Sequence, residues 1–278
     1  MTYIDRRAFL GRLLALGAVL AVPVGPAHAA IANLNEAINK AGRMRMLSQR
    51  MAKAYCQLGQ NILPDRSRRI LDASMKLYQD HLDELKAYAP SPDIVATYSE
   101  LETIWRRYRP LLSGAPTLAN AKQITQINED ALRVAHLGTT QLELLSTSSV
   151  GRLVNIAGRQ RMLSQRLAKF YMFRQWRIGN AAMDSEAQLA KREFLSALDA
   201  LERAPENTGK IKSELELARM QWIFFDQALQ QEMSGTMKPE YAANVATTSE
   251  RILEVMDRVT NLYAQLTPAA VPPAPKRR

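Results

Sequence analysis

From Ile31 onward, apolar residues recur three or four positions apart, and Pro, Gly, Ser and Asn collect at a few joints. The first such stretch predicts a helix from Asn33 to Asn61, with Ile38, Ala41, Met44, Met51 and Leu58 on one stripe. Pro64-Asp65 opens a second helix, since Pro is tolerated in a first turn, and Pro90-Ser-Pro92 closes it. The third carries Ile94, Tyr98, Leu101, Trp105 and Tyr108 and is expected to stop before Pro110; the fourth runs from Leu118 to about Ser146. The plan then repeats over Val150–Ile178, Asp184–Arg203, Ile211–Glu232 and a last helix ending near Leu266. Gly179-Asn180 reads as the C-cap of the fifth helix, and Pro205, Ser234-Gly235 and Pro239 mark the later joints. No Pro separates Ser146 from Val150, so the fourth helix is expected to run into the fifth with only a kink. Eight helices and no alternating strand pattern predict an all-α fold of two tandem antiparallel four-helix bundles.

Inside this pattern one block occurs twice. Asn39-Lys-Ala-Gly-Arg-Met-Arg-Met-Leu-Ser-Gln-Arg-Met-Ala-Lys-Ala-Tyr55 matches Asn155 to Tyr171 at 13 of 17 positions, 116 residues apart. Outside it the two halves have drifted. A core helix keeps its apolar pattern while its polar residues wander, yet here the polar set is retained. Arg43/Arg159, Arg45/Arg161, Ser48/Ser164, Gln49/Gln165, Arg50/Arg166 and Lys53/Lys169 all recur. Self-similarity at a long fixed offset defines the architecture as a pseudo-two-fold internal dimer with units at 30–146 and 147–266.

Composition narrows the class without naming it. The net charge is +10, and removing the leader with its three arginines and one aspartate leaves +8. That charge suits simple solubility, an anionic ligand or an anionic surface. The single Cys56 forms no internal disulfide. Residues 1–29 read as an export signal: Asp5-Arg-Arg-Ala-Phe-Leu10 resembles the twin-arginine motif, Leu13 to Val24 is the apolar segment, and Ala27-His28-Ala29 is a small-x-small cleavage site. Ordinary secretory routing and an uncleaved anchor are the alternatives; export by either route predicts a periplasmic protein. Residues 267–278 are a disordered Pro-rich basic tail, whose Lys276-Arg277-Arg278 end offers at most peripheral contact with lipid.

On a helix, Gly42, Arg45 and Gln49 share a stripe, as do Gly158, Arg161 and Gln165. A mid-helix Gly is destabilising by roughly 0.5–1 kcal/mol relative to Ala, so its presence in both copies predicts a close backbone approach. Two motif helices side by side would bring Arg45 and Arg161 together. Guanidinium groups about 5 Å apart repel by roughly 3 kcal/mol at an effective dielectric near 20, and a small anion between them reverses that sign. Each planar fork donates two parallel bonds to adjacent oxygens, which suits a trigonal oxyanion. Removing either arginine is therefore expected to relieve the repulsion equally. The competing expectation is that these arginines pair with acids on neighbouring helices.

Asn-Lys-Ala-Gly-Arg-Met-Arg-Met-Leu-Ser-Gln-Arg resembles the P-box of periplasmic sensor domains in nitrate/nitrite-responsive histidine kinases. It is also similar to the N-terminal domain of type IV pilus methyl-accepting chemotaxis transducers. In the kinases the P-box helix pairs with its copy in a second subunit, and one nitrate lies at the two-fold. By motif position the resemblance implies a ligand site of Gly42, Arg45, Met46, Gln49 and Arg50 with Gly158, Arg161, Met162, Gln165 and Arg166. Lys40 of the motif is Ile156 in the second copy, which rules out a fully symmetric site. The expectation is a binding protein for nitrate or nitrite that needs no cofactor and reports to a membrane sensor or transporter. The alternative is a ligand-free helical adaptor. No haem-attachment motif, Glu-x-x-His pair or activated nucleophile points to an enzyme, His81 and His136 stand isolated, and export argues against nucleic acid.

Overall fold

The computed structural model describes residues 31–146, 148–231 and 239–266; the leader, the joint at Ser234-Gly235 and the basic tail lie outside them. Among the described residues there are eight α-helices and no strand. They are α1 (Leu34–Gly59), α2 (Pro64–Tyr88), α3 (Pro92–Ser113), α4 (Leu118–Leu144), α5 (Ser149–Gln175), α6 (Ala181–Glu202), α7 (Gly209–Gln230) and α8 (Pro239–Ala264).

Local chemistry sets most of the joints. Asn33 accepts the Glu36 N–H while the Glu36 carboxylate accepts the Ala32 N–H, a reciprocal cap that fixes the start of α1. Ser91, Thr117, Ser148, Asn180 and Thr208 cap α3 to α7 in the same way, each accepting an N–H three residues on. Three expectations need correction. The fourth and fifth helices are separate, because α4 closes at Leu145 and Ser148 starts α5 with its own cap. Pro110 does not end α3, which continues to Ser113. Pro110 lies on the exposed face, where water can satisfy the carbonyl it leaves unbonded, and fully buried Leu112 holds the last turn. Asn180 begins α6 instead of ending α5; the left-handed residue after α5 is Arg177, matching Asn61 after α1.

Each half is a four-helix unit with its motif helix inside. α1 packs on α2 and α4, and α5 on α6 and α8, while the most extensive packing in the molecule is α1 on α5. The two halves keep two aromatic pairs: Trp105 meets Tyr78 at 4.5 Å and Tyr108 at 6.2 Å between ring centroids, and Trp222 stacks on Phe194 at 4.3 Å and meets Phe225 at 6.0 Å. α1 and α5 run parallel, since Gly151 lies by Ile38, Gly42 by Gly158 and Gly59 by Trp176. A parallel pair crossing at equivalent residues is what a pseudo-two-fold axis along the helices requires. The Trp176 indole stands 2.0 Å from where a Gly59 side chain would begin, so a glycine is required there.

Candidate functional site

The repeated block forms the seam between the halves. Much of its polar set is buried: Arg45, Gln49, Lys53, Arg161, Gln165 and Lys169 have no exposed surface, while Arg43, Arg50, Arg159 and Arg166 are partly exposed. At the centre the helices approach backbone to backbone. A side chain begun on Gly42 would lie 3.9 Å from the Gly158 Cα, 3.2 Å from Arg45 Nη2 and 3.6 Å from Arg161 Nη2. From Gly158 the same two guanidinium groups lie at 3.6 and 3.3 Å. The glycines therefore leave room for two arginines to converge over the crossing.

Each arginine then reaches across to the other half's motif. Arg45 Nη2 donates to the Asn155 side-chain oxygen at 2.7 Å, and Arg161 Nη2 to the Asn39 side-chain oxygen at 2.8 Å. Their second partners differ. Arg161 Nη1 donates to Asp257 Oδ1 at 2.5 Å, whereas Arg45 Nη1 meets His136 Nδ1 at 3.3 Å. Because a guanidinium only donates, Nδ1 accepts and the neutral ring carries its hydrogen on Nε2. Both Nε atoms are buried without a hydrogen-bond partner. Burial lowers Arg45 to about 9, assisted by Arg159 and Arg161, while burial takes Arg161 only to about 10 because Asp257 opposes it. Burial, with Arg45 and Arg159 beside it, pushes His136 down to about 4.

One turn further along, the next two cations of each motif pair with a carboxylate from the opposite half. Arg50 and Lys53 of α1 both bond Glu250 of α8, Lys53 at 2.5 Å with Ser249 as its second partner at 3.0 Å. By the same geometry Arg166 and Lys169 of α5 bond Glu129 of α4 at 2.8 and 2.5 Å, with Asn128 bonded to Lys169 at 2.9 Å. Burial raises the Glu250 carboxyl, and Lys53 and Arg50 overcome it and bring it down to about 2. Burial lowers Lys53 and Lys169 to about 8 against the pull of those carboxylates.

Gln49 bonds Asn128 and receives Arg166, and Gln165 bonds the Ser249 carbonyl, so both glutamines buttress the ion pairs. Met46 and Met162 lie in the core. Arg43 joins Asp257, but Arg159 turns outward to Glu193. Thus the arginines, glutamines and glycines of the motif do meet along one seam. Sequence reasoning missed their partners: Asn39, Asn155, Glu129, Glu250, Asp257 and His136. His136 is not isolated. The retained Asn39/Asn155 pair opening both blocks was the one signal in the sequence; the acids lie outside the repeat and carried none.

A family model described as PilJ, type IV pili methyl-accepting chemotaxis transducer N-term, matches residues 29–132 and again 144–248. No curated protein and no solved structure matches the chain.

Proposed function

Since two copies of that domain cover most of it, the chain belongs to the PilJ family, and from that membership we propose that it is a periplasmic sensory module. It holds a small oxyanion, nitrate or nitrite first, between its motif helices and reports occupancy to a partner protein, a membrane sensor or transporter. Residues 30–146 and 147–266 are its two sensor units, delivered by the twin-arginine-like leader. The family is a sensory one; among the described residues no helix is long and apolar enough to cross a membrane.

The observation that carries the ligand is the convergence of Arg45 and Arg161 over the glycine crossing, both buried and each with an unpartnered Nε. Two buried like charges side by side are destabilising, and an anion reached by both offsets that repulsion. The adaptor reading has its own support: Arg43, Arg50, Lys53, Arg159, Arg161, Arg166 and Lys169 each bond a carboxylate.

Melting curves of the wild type, Arg45→Met and Arg161→Met, with and without nitrate, nitrite and phosphate, separate the two. Nitrate at a hundredfold excess over Kd is expected to stabilise the wild type by roughly 2.7 kcal/mol and neither variant. Phosphate is expected to act more weakly, because a site of donors offers nothing to its proton. A wild type indifferent to all three anions leaves the adaptor reading.

A further inference from the structure

The arginines of the seam repeat, but the charges that balance them do not. Asp257 of α8 accepts from both Arg161 and Arg43. At the matched place on α4 stands His136, its Nδ1 3.3 Å from Arg45 Nη1. The match is fixed by the ion-pair clusters: Glu129 holds Lys169 as Glu250 holds Lys53, and His136 and Asp257 each follow their glutamate by seven residues. Arg159, the counterpart of Arg43, takes Glu193 of α6. Glu143 reaches Arg45 only through Asn155, which accepts from the arginine and donates to the carboxylate.

The principal charges acting on the two converging guanidinium groups are therefore Arg43, Arg159, Asp257, Glu143 and Glu193. With Arg45 and Arg161 themselves, four arginines face three carboxylates, which leaves one positive charge at the crossing. Burial, with Arg45 and Arg159 beside it, holds His136 near 4, so the imidazole adds no charge at neutral pH. We propose that His136 sets the specificity of the crossing: standing where the other half has a carboxylate, it leaves one positive charge, so that a monoanion is taken and a dianion refused. The assignment rests on the oxyanion reading of the same site and names the residue that decides which oxyanions enter.

Burial makes that count decisive. Arg45 and Arg161 have no exposed surface, and a charge left without a partner in such a place is destabilising. The unpartnered Nε of each arginine supplies a donor that no protein group uses. One monoanion restores neutrality. A dianion leaves a negative charge in excess, because Arg43, Arg159 and Arg161 already hold carboxylates. An aspartate at position 136 would satisfy Arg45 as Asp257 satisfies Arg161, and no charge would remain for a ligand. Sulfate separates this rule from a preference based on donors alone. It carries no proton at neutral pH, so a site made only of donors has no ground to refuse it.

Calorimetric titration with nitrate and with sulfate, at matched ionic strength, tests the assignment on the full chain and on His136→Asn, His136→Asp and Asp257→Asn. The wild type is expected to bind one nitrate per chain, with sulfate weaker by about tenfold or more, the equivalent of one charge-assisted hydrogen bond. His136→Asn keeps a neutral acceptor and is expected to keep that order. His136→Asp has the same shape with a charge added. It is expected to weaken nitrate by about tenfold or more, while melting no earlier than the wild type in anion-free buffer. Asp257→Asn leaves a second positive charge, and sulfate is expected to gain on nitrate by about tenfold. If one of the two charge-changing variants fails to fold, the other decides, together with the wild-type ratio. Full-strength nitrate binding in folded His136→Asp, an unchanged ratio in folded Asp257→Asn, or sulfate bound as tightly as nitrate by the wild type overturns the proposal and leaves the oxyanion reading standing. A wild type that binds neither anion overturns both.

Discussion

Arg45 and Arg161 are the same residue in the two copies of the motif, and the fold has made them unequal. Arg161 holds a carboxylate and Arg45 a neutral imidazole. Removing either arginine takes away their mutual repulsion, but the bonds lost with it differ. Arg161→Met loses charge-assisted bonds of about 1.5–3 kcal/mol, whereas Arg45→Met also removes a charge facing Arg159 and Arg161. In anion-free buffer the first is expected to be the less stable by roughly 1–2 kcal/mol in urea titrations. Glu250 gives a pH signature. Its carboxyl lies near 2 when folded against an ordinary value of 4.5, so its contribution is present above about 4.5 and is lost as pH falls toward 2. For this nearly buried group that amounts to about 3 kcal/mol. Melting temperature in this window is expected to fall less steeply in Glu250→Gln than in the wild type. Parallel pH profiles would rule out Glu250 as the group responsible.

Among elements, α1 and α5 decide the molecule, and the Gly42–Gly158 crossing decides how they meet. A methyl at Gly42 stands 3.2 Å from Arg45 Nη2, which is fixed by its 2.7 Å bond to Asn155 and cannot give way freely. A branched side chain goes further and meets the Gly158 backbone. Gly42→Val is therefore expected to destabilise by about 1–3 kcal/mol through overpacking, although valine is no worse a helix former than glycine. A variant as stable as wild type in urea would show that the helices have room to separate. The outward faces show the opposite freedom. α7 exposes Met220, Ile223 and Phe224 where the corresponding positions of α3 carry Thr103, Arg106 and Arg107.

At the scale of the whole molecule, the seam joins the halves through backbone contact, crossed arginines, a buried ion-pair cluster on Glu250 and a half-exposed one on Glu129. Breaking a buried pair by removing one partner is destabilising by about 3–5 kcal/mol, so neither half is expected to unfold while the other remains intact. Trp105 reports on the first half and Trp222 on the second. In single-tryptophan variants their fluorescence is expected to trace one coincident urea transition. Separated midpoints would mean that the seam is too weak to couple the halves.

The helices were legible in the sequence because their causes are local. Apolar spacing marks the buried stripe, and caps such as Asn33, Ser91, Thr117 and Asn180 act within three residues of themselves. The tandem repeat and the close approach at Gly42 and Gly158 were legible too, since a polar block retained in both halves and a mid-helix glycine in each need an external reason. The run through Pro110 was not, because a buried leucine two residues later outweighs a local rule. Nor was the choice of partner for each motif cation. Glu250 lies 197 residues from Lys53 and Glu129 lies 40 from Lys169, and no periodicity connects residues brought together only when two halves close on each other. Whether a given arginine meets an aspartate or a histidine was settled by tertiary packing alone, because identical motif residues acquire different neighbours once the flanking helices have diverged.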